Sequence, residues 1–189
     1  MNLYVYVENN PGNWLDPFGL ELKWMGTDKQ TAILKRHRRR LEIISPTAAK
    51  VIKMLDEDYE TVVEIRLNTG GVTRYDDWAD PKRIDYNDQY CLGYDPHSSD
   101  PPWKNIPSEI ALVHELIHAL HDLEGVPCLH WWECVAPTLF TGPDQRIIGL
   151  EKWPEEYKDL TFTQITENKI RAEYADSPYF PGLLQREKY

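Results

Sequence analysis

The chain has 189 residues, with 21 basic and 31 acidic side chains and a net charge of -10 at pH 7. This length suits one domain with a full hydrophobic core and leaves little room for a second large domain. The acidic balance argues against a general nucleic-acid binder and against binding to anionic membranes. No apolar run is long enough to span a membrane, and the first residues lack the basic start and apolar core of a signal peptide.

The amino-terminal stretch differs in character from the rest of the chain. A short alternating strand is predicted at residues 3–7, followed by turns rich in Asn, Pro and Gly. The residues that characterise the stretch are Asn2, Leu3, Tyr4, Tyr6, Asn9, Asn10, Pro11, Asn13, Trp14, Asp16, Pro17, Gly19 and Leu20. With these residues the stretch resembles the end of the repeat core of Rhs toxins, in which self-cleavage after a final Leu releases a variable toxin. The resemblance implies a junction over residues 1–20, cut between Leu20 and Glu21, and a toxin domain over residues 21–189. An ordinary hairpin and turn is the alternative.

Residues 35–40, with the sequence KRHRRR, form the one concentrated basic run of the chain. Beside a net-negative body, such a run is typical of a solvated helix face or a flexible connector. A docking contact or a nucleic-acid contact is the alternative interpretation.

The following segments predict the fold class. Ser45 and Pro46 begin a predicted helix with one apolar face. Residues 63–67 alternate apolar and charged side chains and predict a strand, and a second strand is predicted near residues 83–86. Together with a later helix, this order predicts an α+β, zincin-like fold in which a mixed sheet with an antiparallel edge packs on that helix. The edge strand of such a sheet can bind an extended peptide by main-chain pairing.

His114, Glu115 and His118 form the run HELIH, which is the most informative motif in the chain. Two histidines at this spacing project from one face of a helix and can bind one zinc ion. Glu115 lies between them in sequence and can reach the water that attacks a peptide bond. The motif therefore predicts peptide-bond hydrolysis.

The residues around HELIH predict a well-delimited helix. Pro107 and Ser108 supply a stop and a capping hydroxyl, and Gly125 is placed to end the helix. The apolar residues that predict a single buried face are Ile110, Val113, Ile117 and Leu120. His121 lies too far along the axis to share the metal and is predicted at the rim. The alternative is a core helix whose histidines are satisfied by hydrogen bonds.

A catalytic zinc site needs a third protein ligand, because three protein ligands and one open position are usual. Spacing alone leaves several carboxylates open for this role: Glu133, Asp144, Glu151 and Glu167. Glu124 is expected to be solvated, and His130 beside two tryptophans is expected to pack. Thr166 and Glu167 fit a capped helix with a Glu167–Arg171 pair, and equally a carboxylate that orients a ligand histidine.

Four segments, HELIHALHDLEG, GPDQRIIGL, ITENKIRAEY and REKY, together resemble the effector metallopeptidase family typified by NleD, which is itself similar to clostridial neurotoxin light chains. The resemblance places Asp144 at the third ligand position, where the family has a Glu, and Pro143 where the family has another Glu. It leaves Glu167 and Glu151 as alternative ligands or outer-shell groups. It also implies that Arg186 and Tyr189, an Arg-x-x-Tyr pair, stabilise the oxyanion, for which a guanidinium and a phenol are suitable donors.

The sequence therefore predicts a zinc endopeptidase in which His114, His118 and Asp144 hold Zn²⁺ and Glu115 is the general base. The resemblances imply synthesis in a bacterial cytoplasm, delivery by a secretion system, a protein substrate in the target cell and a cognate immunity protein. No nucleic-acid partner and no membrane span are predicted.

Two other functional classes stay open. A non-catalytic zinc-stabilised interaction module would need a closed fourth ligand such as a cysteine. However, Cys91, Cys128 and Cys134 have neither the count nor the spacing of a closed zinc ribbon or a disulfide framework, and reduced thiols are expected. A nucleic-acid-directed Rhs toxin is the other class, and the basic run at residues 35–40 motivates it.

Overall fold

A computed structural model of the chain describes residues 22–57, 61–68, 70, 72–88, 106–125, 146–149, 155, 161–180 and 183. Its strands and helices, in chain order, are β1 (Leu22–Met25), α1 (Asp28–Ile44), α2 (Pro46–Glu57), β2 (Val63–Leu67), β3 (Arg74–Asp76), β4 (Lys82–Tyr86), α3 (Ser108–Leu123), a 3-10 helix (Thr161–Gln164) and α4 (Glu167–Ala175). The predicted amino-terminal strand and the predicted cut between Leu20 and Glu21 lie outside the described residues, so the domain boundary stays a prediction.

The strands form a mixed sheet in the order β1-β2-β4-β3. β1 pairs with β2 and β2 pairs with β4 in parallel, whereas β3 pairs with β4 in antiparallel orientation and occupies the edge. The prediction of an α+β chain with a mixed sheet and an antiparallel edge is confirmed. β1 and β3 are short and were not predicted, because neither has enough alternating residues to distinguish a strand from a loop.

The two faces of the sheet carry different chemistry. One face is apolar and includes Ile65 and Ile84, which are paired in register on β2 and β4 and fully buried. On the other face, Glu64 of β2 lies next to Arg83 of β4, and Arg83 pairs with Asp76 of β3 at 3.2 Å. Opposite charges thus alternate across neighbouring strands, which stabilises this charged face of the sheet.

The helix at Ser45 and Pro46 is confirmed as α2. The Ser45 hydroxyl accepts a hydrogen bond from the Ala48 N–H at 2.9 Å, as an N-terminal cap does. Glu173 of α4 reinforces the same terminus, because its carboxylate accepts hydrogen bonds from the Thr47 N–H and from the Ser45 and Thr47 hydroxyls. This carboxylate therefore attaches α4 to the start of α2. Of the helices in the described part of the chain, none has the length and apolar character needed to cross a membrane.

α3 carries the HELIH run and ends where the sequence predicts. Gly125 follows the helix at a φ of +66°, a conformation that glycine adopts without strain. The predicted capping role of Ser108 is wrong: Pro107 occupies the cap position without a side-chain hydrogen bond, and Ser108 is the first helical residue. The prediction of a single buried face is also too narrow. Besides the predicted apolar residues, the fully buried side chains include Leu112, Leu116 and Ala119. The helix is buried on more than one face because the sheet and the other helices surround α3.

We expect the core around β2 to be sensitive to the loss of side-chain volume. Ile65 is 0 % exposed on this central strand, so Ile65→Ala should lower the free energy of unfolding by about 2–5 kcal/mol, measured by urea denaturation. Ile43→Ala is the control, because Ile43 is 68 % exposed and its truncation should change stability by less than about 0.5 kcal/mol. Equal effects of the two substitutions would contradict this arrangement of the core.

Candidate metal centre

The two histidines of the HELIH run point their ring nitrogens at one another. The Nε2 atoms of His114 and His118 are 3.2 Å apart, and the rings are inclined at 71°. Two nitrogens that each lie about 2.05 Å from one tetrahedral zinc ion would be about 3.3 Å apart. The separation therefore fits a shared zinc ligand pair, and imidazole nitrogen is a donor that zinc prefers.

Glu167, the first residue of α4, contacts the Nδ1 atom of the His114 ring. Its Oε2 lies 2.7 Å from His114 Nδ1, and its Oε1 accepts a hydrogen bond from Arg171 Nε at 2.5 Å. A carboxylate accepts hydrogen bonds but does not donate them, so Nδ1 of His114 carries the proton. In the neutral ring the lone pair is then on Nε2, the atom that faces His118.

The Glu167 contact is deeply buried, since Glu167 and Arg171 are each 1 % exposed. The Glu167–Arg171 pair and the histidine-orienting carboxylate were two alternative interpretations of the same residues. The structure shows the contacts of both at once, because the two oxygens of Glu167 face different partners. Metal-binding histidines are commonly oriented by a carboxylate in this way.

The start of α4 is itself fixed by a neighbouring turn. Thr166 caps α4, its hydroxyl accepting from the Lys169 N–H at 3.2 Å. Gly149 packs against the Thr166 side chain at a φ of +93°, and a Cβ at that position would approach the Thr166 hydroxyl oxygen to 3.0 Å. The described turn at residues 146–149, which belongs to the predicted third-ligand segment, therefore lies next to the helix terminus that bears Glu167.

Glu115 is partly exposed and contacts the edge of the sheet. Its Oε2 accepts a hydrogen bond at 2.8 Å from the main-chain N–H of Tyr75, in the edge strand β3. This contact was not predicted from the sequence. Tyr75 is 40 residues away along the chain, and its main-chain group leaves no signature in the choice of side chain.

The prediction that His121 lies at the rim is wrong. Its side chain is buried, with a 5.0 Å separation between its ring centroid and that of Phe162 in the 3-10 helix. Burial is the main cause that lowers the pKa of His121 to about 3, and the neighbouring His118 and His114 lower it further. His121 is therefore a neutral packing residue at ordinary pH.

The basic run is divided between internal contacts and the surface. Arg38 pairs with Glu42 at 2.8 Å and with Asp56 at 2.5 Å, and Arg40 pairs with the buried Glu109 at 3.1 Å. His37 is buried against Tyr86, with 2.6 Å between His37 Nδ1 and the Tyr86 hydroxyl oxygen. The prediction that the run is a solvated helix face or a flexible connector is therefore wrong for three of its six residues, which are His37, Arg38 and Arg40. The exposed members are Lys35, Arg36 and Arg39.

Several predicted site residues lie outside the described residues. They are Asp144, Glu151, Arg186, Tyr189, Leu20 and Glu21, together with Glu133 and His130. Glu124 is described and exposed, as expected. Within the described ranges, no group of three or more His, Cys, Asp or Glu side chains is arranged to hold a metal ion. The structure thus brings together His114, His118 and Glu167, with Glu115 on the same helix as the two histidines, and the third ligand stays a prediction.

A scan against protein-family models, a search of curated proteins and a search of solved structures each returned no match to this chain.

We expect the buried His121 to make stability depend on pH. In the unfolded chain its pKa is near 6.5 and in the folded chain about 3, so between these values the unfolded state binds more protons. The contribution of His121 to the free energy of unfolding is fully present above pH 6.5. It is lost as the pH falls towards 3, by up to about 1.4 kcal/mol per pH unit. His121→Leu should remove this part of the dependence of the free energy of unfolding on pH. The measurement is urea denaturation in EDTA on both sides of pH 6.5.

The control is Phe162→Leu, which shortens the ring partner of His121 without removing a titratable group. It should lower stability by a similar amount at each pH. A His121→Leu protein with the wild-type slope would show that His121 does not titrate differently in the folded and unfolded states.

Proposed function

We propose that this chain is a zinc-dependent endopeptidase that acts as a delivered toxin on proteins of a target cell. The observation that supports the proposal most strongly is the 3.2 Å approach of His114 Nε2 and His118 Nε2 on one helix, with Glu167 holding Nδ1 of His114. A histidine pair satisfied only as core packing would not need a buried carboxylate to fix which nitrogen carries the proton.

In the proposed site, His114 and His118 would hold zinc through their Nε2 atoms. When bound, zinc would polarise the attacking water and the scissile carbonyl. Glu115 would accept the proton of that water and deliver it to the leaving amine. Arg186 and Tyr189 are the proposed donors to the oxyanion, and this assignment comes from the family resemblance.

Asp144 is the proposed third ligand, with Glu151 as the alternative. Glu167 was also a candidate ligand, but both of its oxygens are engaged, one by His114 and one by Arg171. This arrangement favours an orienting role for Glu167. Asp144 lies two residues before the described stretch 146–149 in sequence, and Gly149 of that stretch packs against Thr166 at the start of α4, which supports the choice of Asp144.

The zincin-like fold is also part of the proposal. In its support, the edge strand β3 contacts Glu115 through the Tyr75 N–H, so the proposed general base lies beside the edge of the described sheet. The Rhs-like junction at residues 1–20 supports a toxin that is released by cleavage after Leu20, delivered by a secretion system and restrained by an immunity protein in the producing cell. The internal contacts of Arg38 and Arg40 account for part of the basic run without a nucleic-acid ligand.

Glu115→Gln is the direct test of the mechanism. The amide keeps the size of the side chain but cannot accept the proton, so proteolysis should fall roughly 10²- to 10⁴-fold or more while zinc is retained. The measurement is proteomic mapping of new protein termini in target cells that express the wild-type chain or the variant, together with the zinc content of each purified protein.

Glu124→Gln is the matched control, because Glu124 lies at the exposed end of the same helix. It should leave both the termini and the toxicity unchanged. A Glu115→Gln protein that still produces the wild-type set of termini would exclude the proposed mechanism.

Removal of the Glu167 carboxylate, which contacts Nδ1 of His114, should weaken zinc binding. Glu167→Gln can still face His114, but it loses the charge that favours a protonated Nδ1, so we expect zinc affinity to fall about 10- to 100-fold. The measurement is a competition titration with a zinc-binding dye.

The same titration distinguishes the candidate third ligands. Asp144→Asn should weaken zinc binding more than Glu151→Gln if Asp144 is the ligand, and the reverse order would assign the site to Glu151. Unchanged affinity in Glu167→Gln would show that this carboxylate supports packing and not the metal.

A further inference from the structure

Tyr75 contacts the HELIH helix through both its main chain and its side chain. Its N–H donates to Glu115 Oε2 at 2.8 Å, and its hydroxyl donates to Asp122 Oδ2 at 2.7 Å. Glu115 and Asp122 lie seven residues apart, about 10 Å along one side of α3. A single residue of β3 therefore bridges two turns of the helix.

Lys82 of β4 completes this connection. Its Nζ donates to Asp122 Oδ2 at 2.5 Å and to the carbonyl oxygen of Asp77 at 3.2 Å. The side chains of Lys82 and Asp122 are only partly exposed, which limits the screening of their attraction by solvent. We call Tyr75, Lys82 and Asp122 the edge brace, because together they hold the edge of the sheet against α3.

The position of Tyr75 in the sheet explains why its N–H is available. Tyr75 is opposite Ile84 of β4 in the sheet, and its N–H donates to Glu115 of α3. In an antiparallel pair, alternate residues direct their main-chain groups away from the partner strand. Because its N–H meets Glu115, Tyr75 occupies such an outward position, at the edge of the sheet that the described residues form.

The Tyr75 hydroxyl is a permanent donor in this arrangement. Burial and then the hydrogen bond to Asp122 raise the pKa of Tyr75 well above its ordinary value. The hydroxyl thus keeps its proton, and its bond to Asp122 holds the direction of β3 relative to α3. A shift of β3 along the helix would remove the N–H from Glu115.

We propose that the edge brace positions Glu115 for proton transfer, so that Tyr75 is a positioning residue of the reaction. This inference rests on the proposed peptidase function. The hydrogen bonds of the brace end on Glu115, Asp122 and Asp77, so we expect its loss to affect the orientation of the base and to leave the metal in place. Misplacement of a catalytic group by about 1 Å can lower the rate about 100-fold.

Tyr75→Phe is the variant that tests the brace, because it removes one hydroxyl and keeps the ring. We expect kcat to fall roughly 10- to 100-fold, with KM within about twofold of wild type and unchanged zinc content. The substrate is a fluorogenic peptide that spans a cleavage site found by terminus mapping. Asp122→Asn, which weakens the same hydrogen bond from the other side, should show the same division between kcat and KM.

The matched control is Tyr174→Phe. Tyr174 is a buried tyrosine of α4 whose hydroxyl makes no hydrogen bond in the described structure, so its removal should leave kcat unchanged. An unchanged kcat in Tyr75→Phe would overturn the proposal. A rise in KM alone, or a loss of zinc, would also overturn it, because β3 would then serve substrate binding or the metal.

A second measurement does not depend on activity. In Tyr75→Phe the amide at position 75 should exchange with deuterium at least about tenfold faster, while the amides of β2 keep wild-type rates. Unchanged exchange at position 75 would overturn the proposal even if the variant were inactive.

If Glu115→Gln stays active, the peptidase function fails. If Glu115→Gln is inactive and Tyr75→Phe keeps its kcat, only the brace fails.

Discussion

The buried carboxylate of Glu167 is the contact on which the arrangement of the candidate site depends. A charge at 1 % exposure is costly unless it is paired, and Arg171 on the same helix and His114 on α3 supply its partners. The contact therefore fixes the relative position of α3 and α4. It also determines which nitrogen of His114 faces His118. The Glu167 side chain therefore serves both the packing of the two helices and the chemistry of the histidine pair.

α3 combines the roles of core element and site element. Its apolar face is buried between the sheet and the other helices, and a stripe of polar side chains lies beside that face. Along this stripe lie His114, Glu115, His118 and Asp122. Because the rest of the helix is held by the core, these side chains project from a rigid support, as positioned catalytic groups require.

The basic run shows how a charge pattern can mislead. Six consecutive residues with five cations suggest a polyanion-binding surface, yet on α1 the helical period turns them in different directions. His37 enters the core, and Arg40 pairs with the buried Glu109 and covers the Phe180 ring at 5.2 Å. Arginine is suited to both tasks, because its guanidinium pairs with carboxylates and stacks on aromatic rings.

Local patterns in the sequence identified α2, α3, β2 and β4, but not the short strands β1 and β3. The apolar period, the Pro at the start of α2 and the Gly after α3 each act within a few residues, so they could be interpreted without knowledge of the packing. The same period placed His114 and His118 on one face. The contacts from Glu167 to His114 and from Tyr75 to Glu115 join residues 53 and 40 positions apart, and only the tertiary structure decided them. A periodic pattern shows which face of an element is buried, whereas the partner of that face depends on how the sheet and helices pack together.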